Sequence, residues 1–253
     1  MSYRLLDAFR ATFDGRLYRH RSSTQGDKVA YHLYEDLYEL GKSKLLRERV
    51  DSREYVLNPK NRSRGIKGRR ADGTFGELVP GAAVTSKSGF IVPRGQTANV
   101  EIGAEAKFMS KAMIKQVGRV KSDLEKQLNE FQRKGGIPIC VAIVGINHAE
   151  YCIGYEKDRQ YRTDGKEHAH PCEEAVEAES RLAEEVAAKF DEFLVLRYKA
   201  TNDPPYPFEW VNLIETAQDY AAALTRISRK YDVRFGPNGS AHGISPPGAG
   251  WST

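Results

Sequence analysis

Residues 97–109, TANVEIGAEAKFM, decide the fold. Small or apolar residues at every even position from 98 to 108 alternate with mostly polar residues at the odd positions. This period of two is typical of a β-strand with one buried face and one polar face. It predicts that Glu101, Glu105 and Lys107 share the polar face, with Gly103 between the two glutamates.

Two carboxylates and an ammonium on one strand face call for a physical explanation, because an unpaired carboxylate is costly to bury. One explanation is a ladder of salt bridges on a solvated face. The other is a Mg²⁺ site with a lysine beside the reacting group. Phosphodiester hydrolysis uses this set, since the metal neutralises phosphate charge and the lysine orients or deprotonates the attacking water or stabilises developing charge.

The sequence on either side of this strand predicts a single α/β domain. A helical stripe begins at Asp27, and Leu45 extends it across Gly41. Further helices and buried strands alternate after the strand, with no internal repeat and no linker. We therefore expect one domain over 1–235 and a flexible Gly/Pro/Ser-rich tail over 236–253. The predicted later elements are a helix over 110–133, the strand IPICVAIVGI, a polar loop over 147–172, a helix over 173–190, a strand over 193–200 and a helix over 211–231.

The triplet Glu105-Ala106-Lys107 on a strand, followed by a long helix and a buried strand, resembles the PD-(D/E)XK nuclease superfamily. The resemblance covers roughly residues 27–200. It implies a restriction-endonuclease-like α/β fold, with a mixed central sheet flanked by helices. It also implies a Mg²⁺- or Mn²⁺-dependent endonuclease of restriction or defence type that hydrolyses DNA. In this resemblance Glu105 binds the metal and Lys107 acts at the attacking water.

A second acid, from the preceding strand or turn, completes the metal site in the resembling family. The family's Pro-Asp pair would fall at Pro80-Gly81, where Gly81 offers no carboxylate. Glu77 is the nearest acid upstream, so we expect it to join Glu105 as a catalytic metal ligand. Asp72 lies further off, in a basic loop. The departure at Gly81 also motivates an alternative function, a non-catalytic nucleic-acid-binding module with a degenerate nuclease site.

The resemblance suggests further site residues on neighbouring elements. A glutamate on the first core helix often assists, and Glu35 and Glu39 are candidates because they lie four residues apart on one polar face. Glu35 is the preferred third metal ligand. Glu101 is a further candidate, and Gln116 on the following helix would line the active site.

Cationic residues predict contact with DNA. Six lysines and arginines between residues 60 and 70 come without an acid, so binding them to phosphates would release counterions. The helix after the strand adds a second group, for which an ordinary solvated helix face is the alternative. The residues expected to contact DNA are Lys60, Arg62, Arg64, Lys67, Arg69, Arg70, Lys111 and Lys115.

Two other patterns could indicate a metal site but are weaker. Asp164-Gly165-Lys166 also fits acid-X-Lys, but it lies in a polar loop without a strand pattern, so context excludes it. His148, Cys152 and the segment 168–172 could supply four zinc ligands, yet their spacing matches no familiar zinc pattern. We expect a polar loop there.

Composition is compatible with this reading. The chain has 253 residues, of which 40% are hydrophobic and 29% charged, and a formal net charge of +5, which permits nucleic-acid binding. Three cysteines argue against a disulfide framework. No apolar run is long enough for a membrane span, and the start does not resemble a signal peptide. We expect a cytoplasmic, DNA-binding protein without membrane contact, and a homodimer if both strands are cut.

Overall fold

The computed structural model describes residues 2–19, 24–59, 72–133, 136–156, 159–237 and 239. None of the described helices is long and apolar enough to cross a membrane. Within these residues the helices are α1 (Arg4–Phe13), α2 (Thr24–Leu40), α3 (Lys44–Ser52), α4 (Met113–Gln132), α5 (Pro171–Glu185) and α6 (Leu213–Phe235). The strands are β1 (Tyr55–Asn58), β2 (Gly73–Leu78), β3 (Thr97–Met109), β4 (Ile139–Asn147), β5 (Ile153–Glu156), β6 (Arg159–Arg162), β7 (Glu192–Ala200) and β8 (Phe208–Trp210).

Six strands form one mixed sheet in the order β1-β2-β3-β4-β7-β8. The strands β1, β2 and β3 are antiparallel, β3, β4 and β7 are parallel, and β8 returns antiparallel to β7. Each parallel pair requires a crossover, which α4 provides between β3 and β4 and α5 provides between β4 and β7. The predicted α/β class, with a mixed central sheet flanked by helices, is confirmed.

The sheet separates two hydrophobic cores. One core joins α1, α2, α3 and α6 to the face that carries Ile102, Ala104 and Ala106 of β3. The other joins α4 and α5 to the opposite face. The strand β4 is buried along its whole length because it faces both cores, as its continuous apolar run predicts.

The single helix predicted from Asp27 through Leu45 is wrong. The helix α2 ends at Leu40, and Gly41 takes a left-handed conformation with φ of +62°. A new helix starts after Ser43, whose hydroxyl accepts a hydrogen bond from the Leu46 N–H at 3.0 Å. The glycine is therefore a helix terminator, as is common for a residue that adopts positive φ without strain.

Other boundaries differ less. The predicted strand over 193–200 and the predicted helices over 173–190 and 211–231 are present, with shifted ends. The loop predicted over 147–172 contains a separate two-stranded hairpin, β5-β6. The predicted tail over 236–253 falls outside the described residues, except for 236, 237 and 239.

Glu101 does not share a strand face with Glu105 and Lys107, contrary to the prediction. The β2-β3 register slips where Phe75 pairs with Ile102 and Gly76 pairs with Val100, so Glu101 is the extra residue of a β-bulge. Its carboxylate lies 2.6 Å from Arg49 of α3 and accepts a hydrogen bond from the Tyr231 hydroxyl of α6. The bulge thus directs the Glu101 side chain away from Glu105 and into a structural ion pair with Arg49.

Replacing Glu101 with Ala should destabilise the fold by about 3 kcal/mol, because it leaves the Arg49 guanidinium in a mostly buried site without its carboxylate. Urea unfolding of both proteins at pH 7 measures the difference. The control is Glu77→Ala, which removes an exposed carboxylate from β2 and should stay within about 0.5 kcal/mol of wild type. Equal unfolding midpoints for Glu101→Ala and wild type would show that the buried pair contributes nothing.

Candidate functional site

Two acidic side chains from adjacent strands meet beside β3. Asp72 directly precedes β2, whose first residue, Gly73, pairs with Ala104. The edge of β3 beyond Ala104 is therefore not covered by β2. The Asp72 carboxylate occupies this edge and accepts a hydrogen bond from the Ala106 N–H at 2.8 Å. The Asp72 N–H in turn lies 3.4 Å from Glu105 Oε2.

Lys107 completes this group of side chains. Its ammonium donates a hydrogen bond to Glu105 Oε1, as residues two apart on one strand face can do. The Lys107 side chain is 25% exposed, whereas that of Glu105 is 6% exposed. The lysine therefore lies nearer to solvent and the carboxylate lies deeper. This geometry allows Lys107 to contact an incoming molecule while it remains tied to Glu105.

The first turn of α2 forms another wall of the site. A Cβ atom placed on Gly26 would lie only 2.5 Å from Asp72 Oδ2, so the carboxylate packs directly against this glycine. The next residue, Asp27, is buried and its negative charge raises the pKa of Asp72. The first core helix therefore brings an acid to this site, and that acid is Asp27.

Burial and repulsion make the Asp72 carboxyl difficult to ionise. Desolvation is the largest cause, followed by the charge of Glu105, and together they raise the pKa of Asp72 to about 8. The hydrogen bond from the Ala106 N–H acts in the opposite direction. The charge of Lys107 also lowers the pKa of Asp72, but burial and the Glu105 charge outweigh it. Two carboxylates that share a site resist being ionised together, so a further positive ion beside them would ease the ionisation of both.

The number of protein ligands for such an ion is small. Among the described residues, no three His, Cys, Asp or Glu side chains are arranged to hold a metal ion together. Mg²⁺ does not require three, because it keeps several waters and is commonly bound through one or two carboxylates plus phosphate oxygens. Asp72 and Glu105 fit that pattern as a pair.

Glu77 is not beside Glu105, contrary to the prediction for the second acid. It pairs with Asn99 in the β2-β3 register and accepts a hydrogen bond from Asn99 Nδ2 at 2.8 Å. Position 99 lies roughly 20 Å from position 105 along a strand that rises about 3.3 Å per residue. The acid that the structure brings to Glu105 is Asp72, which lies at the end of the predicted basic loop and not at the Pro80-Gly81 position. Its place directly before the strand GTFGEL was the signal that could have identified it.

The two predicted glutamates of α2 are also elsewhere. Both oxygens of Glu35 accept backbone N–H groups, from Ile91 at 2.8 Å and Val92 at 3.0 Å. Glu35 is fully buried, which raises its pKa, and it anchors the segment that carries those two residues. Glu39 forms a surface ion pair with Arg4. Neither belongs to the carboxylate pair, because both lie two or more helical turns after Asp27.

The predicted residues after β3 have separate roles. Gln116 donates from Nε2 to the Lys111 carbonyl oxygen at 2.7 Å, which closes the turn before α4. Lys111 is buried, and its ammonium contacts the hydroxyl and the ring face of Tyr161. A buried ammonium is less accessible to a DNA backbone than an exposed one, and the contact of Lys111 with DNA stays a prediction. Lys115 is exposed on α4 and stays a predicted DNA contact.

The basic loop predicted to contact DNA lies outside the described residues. It leads directly into Asp72, so its end is close in sequence to the carboxylate pair. Its predicted contact with DNA stays a prediction. The residues concerned are Lys60, Arg62, Arg64, Lys67, Arg69 and Arg70.

The second acid-X-Lys triplet lies in a loop, as expected from its context. Asp164 Oδ1 accepts backbone N–H groups from Lys166 and His168, both at 3.0 Å, which is a local turn. His170 caps the start of α5 through a reciprocal hydrogen-bond pair with Glu173. These contacts give Asp164 and His170 roles in a local turn and a helix cap.

Asp72→Asn should become more stable than wild type as pH rises. The folded protein holds a proton on Asp72 between the ordinary carboxyl pKa and about 8, and the unfolded chain releases it, so wild-type stability falls across that window. Asparagine has no proton to lose and still accepts the Ala106 hydrogen bond. We expect a gain on the order of 4 kcal/mol at pH 9 relative to pH 5, without divalent metal, because each unit between pH 5 and the raised pKa is worth about 1.4 kcal/mol.

Urea unfolding at pH 5, 7 and 9 in the presence of EDTA measures this gain. The control, Glu77→Gln, neutralises an exposed carboxyl on β2. If the stability difference between Asp72→Asn and wild type is the same at all three pH values, the carboxyl does not have a raised pKa in the folded protein.

Comparison with known proteins adds no assignment. No protein-family model, curated protein or solved structure matches this chain at a significant level. The function must therefore be argued from the site itself, from the two carboxylates, the lysine and the helix turn that surround them.

Proposed function

We propose that this protein is a metal-dependent nuclease that hydrolyses DNA phosphodiester bonds. The observation that carries the proposal is the meeting of Asp72 and Glu105 at the edge of β3 beyond the end of β2, with Lys107 hydrogen-bonded to Glu105. The raised pKa of Asp72 supports it, because a divalent cation is the partner that would let both carboxylates ionise. Their hard oxygen atoms suit Mg²⁺ or Mn²⁺.

The roles of the side chains follow from their positions. Asp72 and Glu105 would hold the cation, with Asp27 adding negative charge from behind. When bound, a divalent cation neutralises phosphate charge and acidifies a water molecule. Lys107 reaches toward solvent from Glu105, so it can orient the attacking water or stabilise charge on the phosphate.

The order of elements supports the resemblance to the PD-(D/E)XK nucleases. A helix, three antiparallel strands, a crossover helix and a parallel strand correspond to α2, β1-β2-β3, α4 and β4. Within this proposal the fold is restriction-endonuclease-like, and Asp72 stands for the acid that Gly81 cannot supply. DNA as substrate, a homodimer, a cytoplasmic setting and a restriction or defence role follow from the resemblance and from the net charge of +5.

Substitution of the three central residues tests the proposal. Asp72→Asn, Glu105→Gln and Lys107→Ala should each lower cleavage of plasmid and single-stranded DNA about 100-fold or more, since each removes charge or a donor at the reacting phosphate. Cleavage is measured with Mg²⁺ or Mn²⁺, and EDTA should abolish it. The control Glu77→Gln should cleave like wild type, because that carboxylate is exposed and bound to Asn99.

Two results would contradict the nuclease proposal. Cleavage that survives all three substitutions would place the reaction elsewhere or in a contaminant. Binding of DNA by wild type without cleavage in either metal would favour the alternative, a non-catalytic nucleic-acid-binding module.

Gly26→Ala tests the wall of the site without removing a polar group. The added methyl would overlap the Asp72 carboxylate and displace it, so cleavage and Mn²⁺ affinity should fall about tenfold or more, as expected for misplaced catalytic groups. Stability should fall by about 1 kcal/mol or less, because the helix preference of alanine over glycine offsets part of the cost of moving the carboxylate away from the Ala106 N–H.

The matched control is Gly118→Ala on α4, where an added Cβ has no neighbour within 4 Å. It should change helix propensity in the same way and leave cleavage unchanged. Activity is measured on plasmid DNA and stability by thermal unfolding. Full activity in Gly26→Ala would show that the position of the Asp72 carboxylate is unimportant for the reaction.

A further inference from the structure

A second polar concavity lies on the other side of α2. It has a volume of about 350 Å³ and is bounded by the end of α1, the first two turns of α2 and the segment around Lys87 and Phe90. The side chains of Gln25, Lys28 and His32 project into it from α2. The proposed reaction at Asp72 and Glu105 does not use this pocket. Its size is within the range of small-molecule binding sites.

The pocket is strongly positive. Arg16, Lys28 and Lys87 line it, and all three are exposed. Of the described residues that line the pocket, none is an aspartate or a glutamate. Three cations around one concavity, with no acid among its described lining residues, favour an anionic ligand, and phosphate is the anion that lysine and arginine bind most commonly in nucleic acids.

Two buried polar atoms of the pocket lining lack a partner. Within the part of the chain that the structure describes, Gln25 Oε1 and His32 Nδ1 are buried without a hydrogen bond. The Arg94 guanidinium, which is not part of the lining, lies over two pocket rings, 4.9 Å from the centre of Tyr31 and 4.5 Å from the centre of Phe90. Folded proteins leave few such groups unsatisfied, so two at one pocket indicate a polar ligand.

The ligand must also suit aromatic surfaces. Tyr31 and Phe90 are half-buried pocket walls, and the His32 ring lies 5.1 Å from that of Phe90. An inorganic anion would gain nothing from these rings, even where it carries an O–H that can donate to Gln25 Oε1. A nucleotide supplies a flat ring, base-edge donors and acceptors, and a phosphate.

We propose that this pocket binds one nucleotide unit of a nucleic-acid strand, with the base against Tyr31 and Phe90 and the phosphate at Lys28 and Lys87. Where that strand is the cleaved DNA, the inference rests on the proposed function. Gln25 and Lys28 flank Gly26, so the pocket lies roughly 10 Å from the Asp72 carboxylate, which is the diameter of a helix with its side chains.

Binding of a fluorescein-labelled single-stranded oligonucleotide, measured by anisotropy in EDTA, tests the pocket without the metal site. Phe90→Leu keeps apolar bulk without the ring and should weaken binding about tenfold. Lys28→Glu should weaken it similarly and lower the slope of log affinity against log salt by about one. The matched control is Lys126→Glu, an exposed lysine on α4 that is not a pocket residue and should bind like wild type. Thermal unfolding verifies that each variant is folded.

Competition by small molecules shows whether the pocket recognises a whole nucleotide or phosphate alone. Deoxyadenosine monophosphate should displace the oligonucleotide from wild type at a lower concentration than inorganic phosphate does, and Phe90→Leu should reduce that difference. The inference is overturned if wild type does not bind the oligonucleotide, if Phe90→Leu and Lys28→Glu bind it like wild type, or if inorganic phosphate competes as well as the nucleotide.

The same variants distinguish this inference from the proposed function. Asp72→Asn should bind the oligonucleotide in EDTA like wild type, since its carboxylate lies on the other side of α2. Weakened binding in the pocket variants, together with no cleavage by wild type, would support the pocket and contradict the nuclease. Cleavage that needs Asp72, together with oligonucleotide binding that tolerates both pocket substitutions, would support the nuclease and overturn the pocket.

Discussion

Electrostatic repulsion between the Asp72 and Glu105 carboxyls is the interaction on which the candidate site depends. Glu105 lies on β3 and Asp72 directly precedes the adjacent strand β2, and neither carboxyl can move away without breaking a contact of β3. The Ala106 N–H and the Lys107 ammonium offset part of the repulsion. Burial and a third acid, Asp27, increase it, and the pKa of Asp72 is raised as a result. Such an arrangement costs stability in the absence of a cation, as functional sites often do.

The identity of the partners, more than burial, separates this pair from the structural acids. Glu35 is fully buried, but each of its oxygens accepts a backbone N–H. Asp36 accepts two backbone N–H groups and the Tyr220 hydroxyl. Glu101 is matched by a guanidinium. Asp72 differs because its neighbours include two further carboxylates. Burial alone therefore does not distinguish the acids of the candidate site from the structural acids.

Local patterns predicted what local forces determine. The alternation over 97–109 identified β3 and the shared face of Glu105 and Lys107, because a strand's side chains must alternate. The continuous apolar run of β4 likewise predicts that this strand is buried on both faces of the sheet. The extent of α2 was overestimated because the stripe of apolar residues continues past Gly41, although the backbone there is left-handed.

What the sequence could not reveal depends on distant partners. The bulge at Glu101 arises where Gly76 of the neighbouring strand approaches the Asn99 carbonyl too closely for any side chain. The Glu35 carboxylate accepts hydrogen bonds from backbone N–H groups that lie more than fifty residues later in the chain. Asp72 was counted with the basic loop because its role depends on where β2 begins. That boundary is set by pairing with β3, which the spacing of residues does not encode.

The helix α2 links the carboxylate pair to the proposed nucleotide pocket. Successive residues turn by about 100°, so Gln25, Lys28 and His32 fall on one face, whereas Gly26 and Asp27 fall toward the opposite one. The buried face is fixed by its packing in the first core, so the helix cannot rotate to serve one site at the expense of the other. A strand held by its base in the pocket would therefore reach the carboxylates at a constant distance. Under the proposed function, that distance would set where the chain is cut, through the geometry of one rigid element and without any contact to the sequence at the scissile bond.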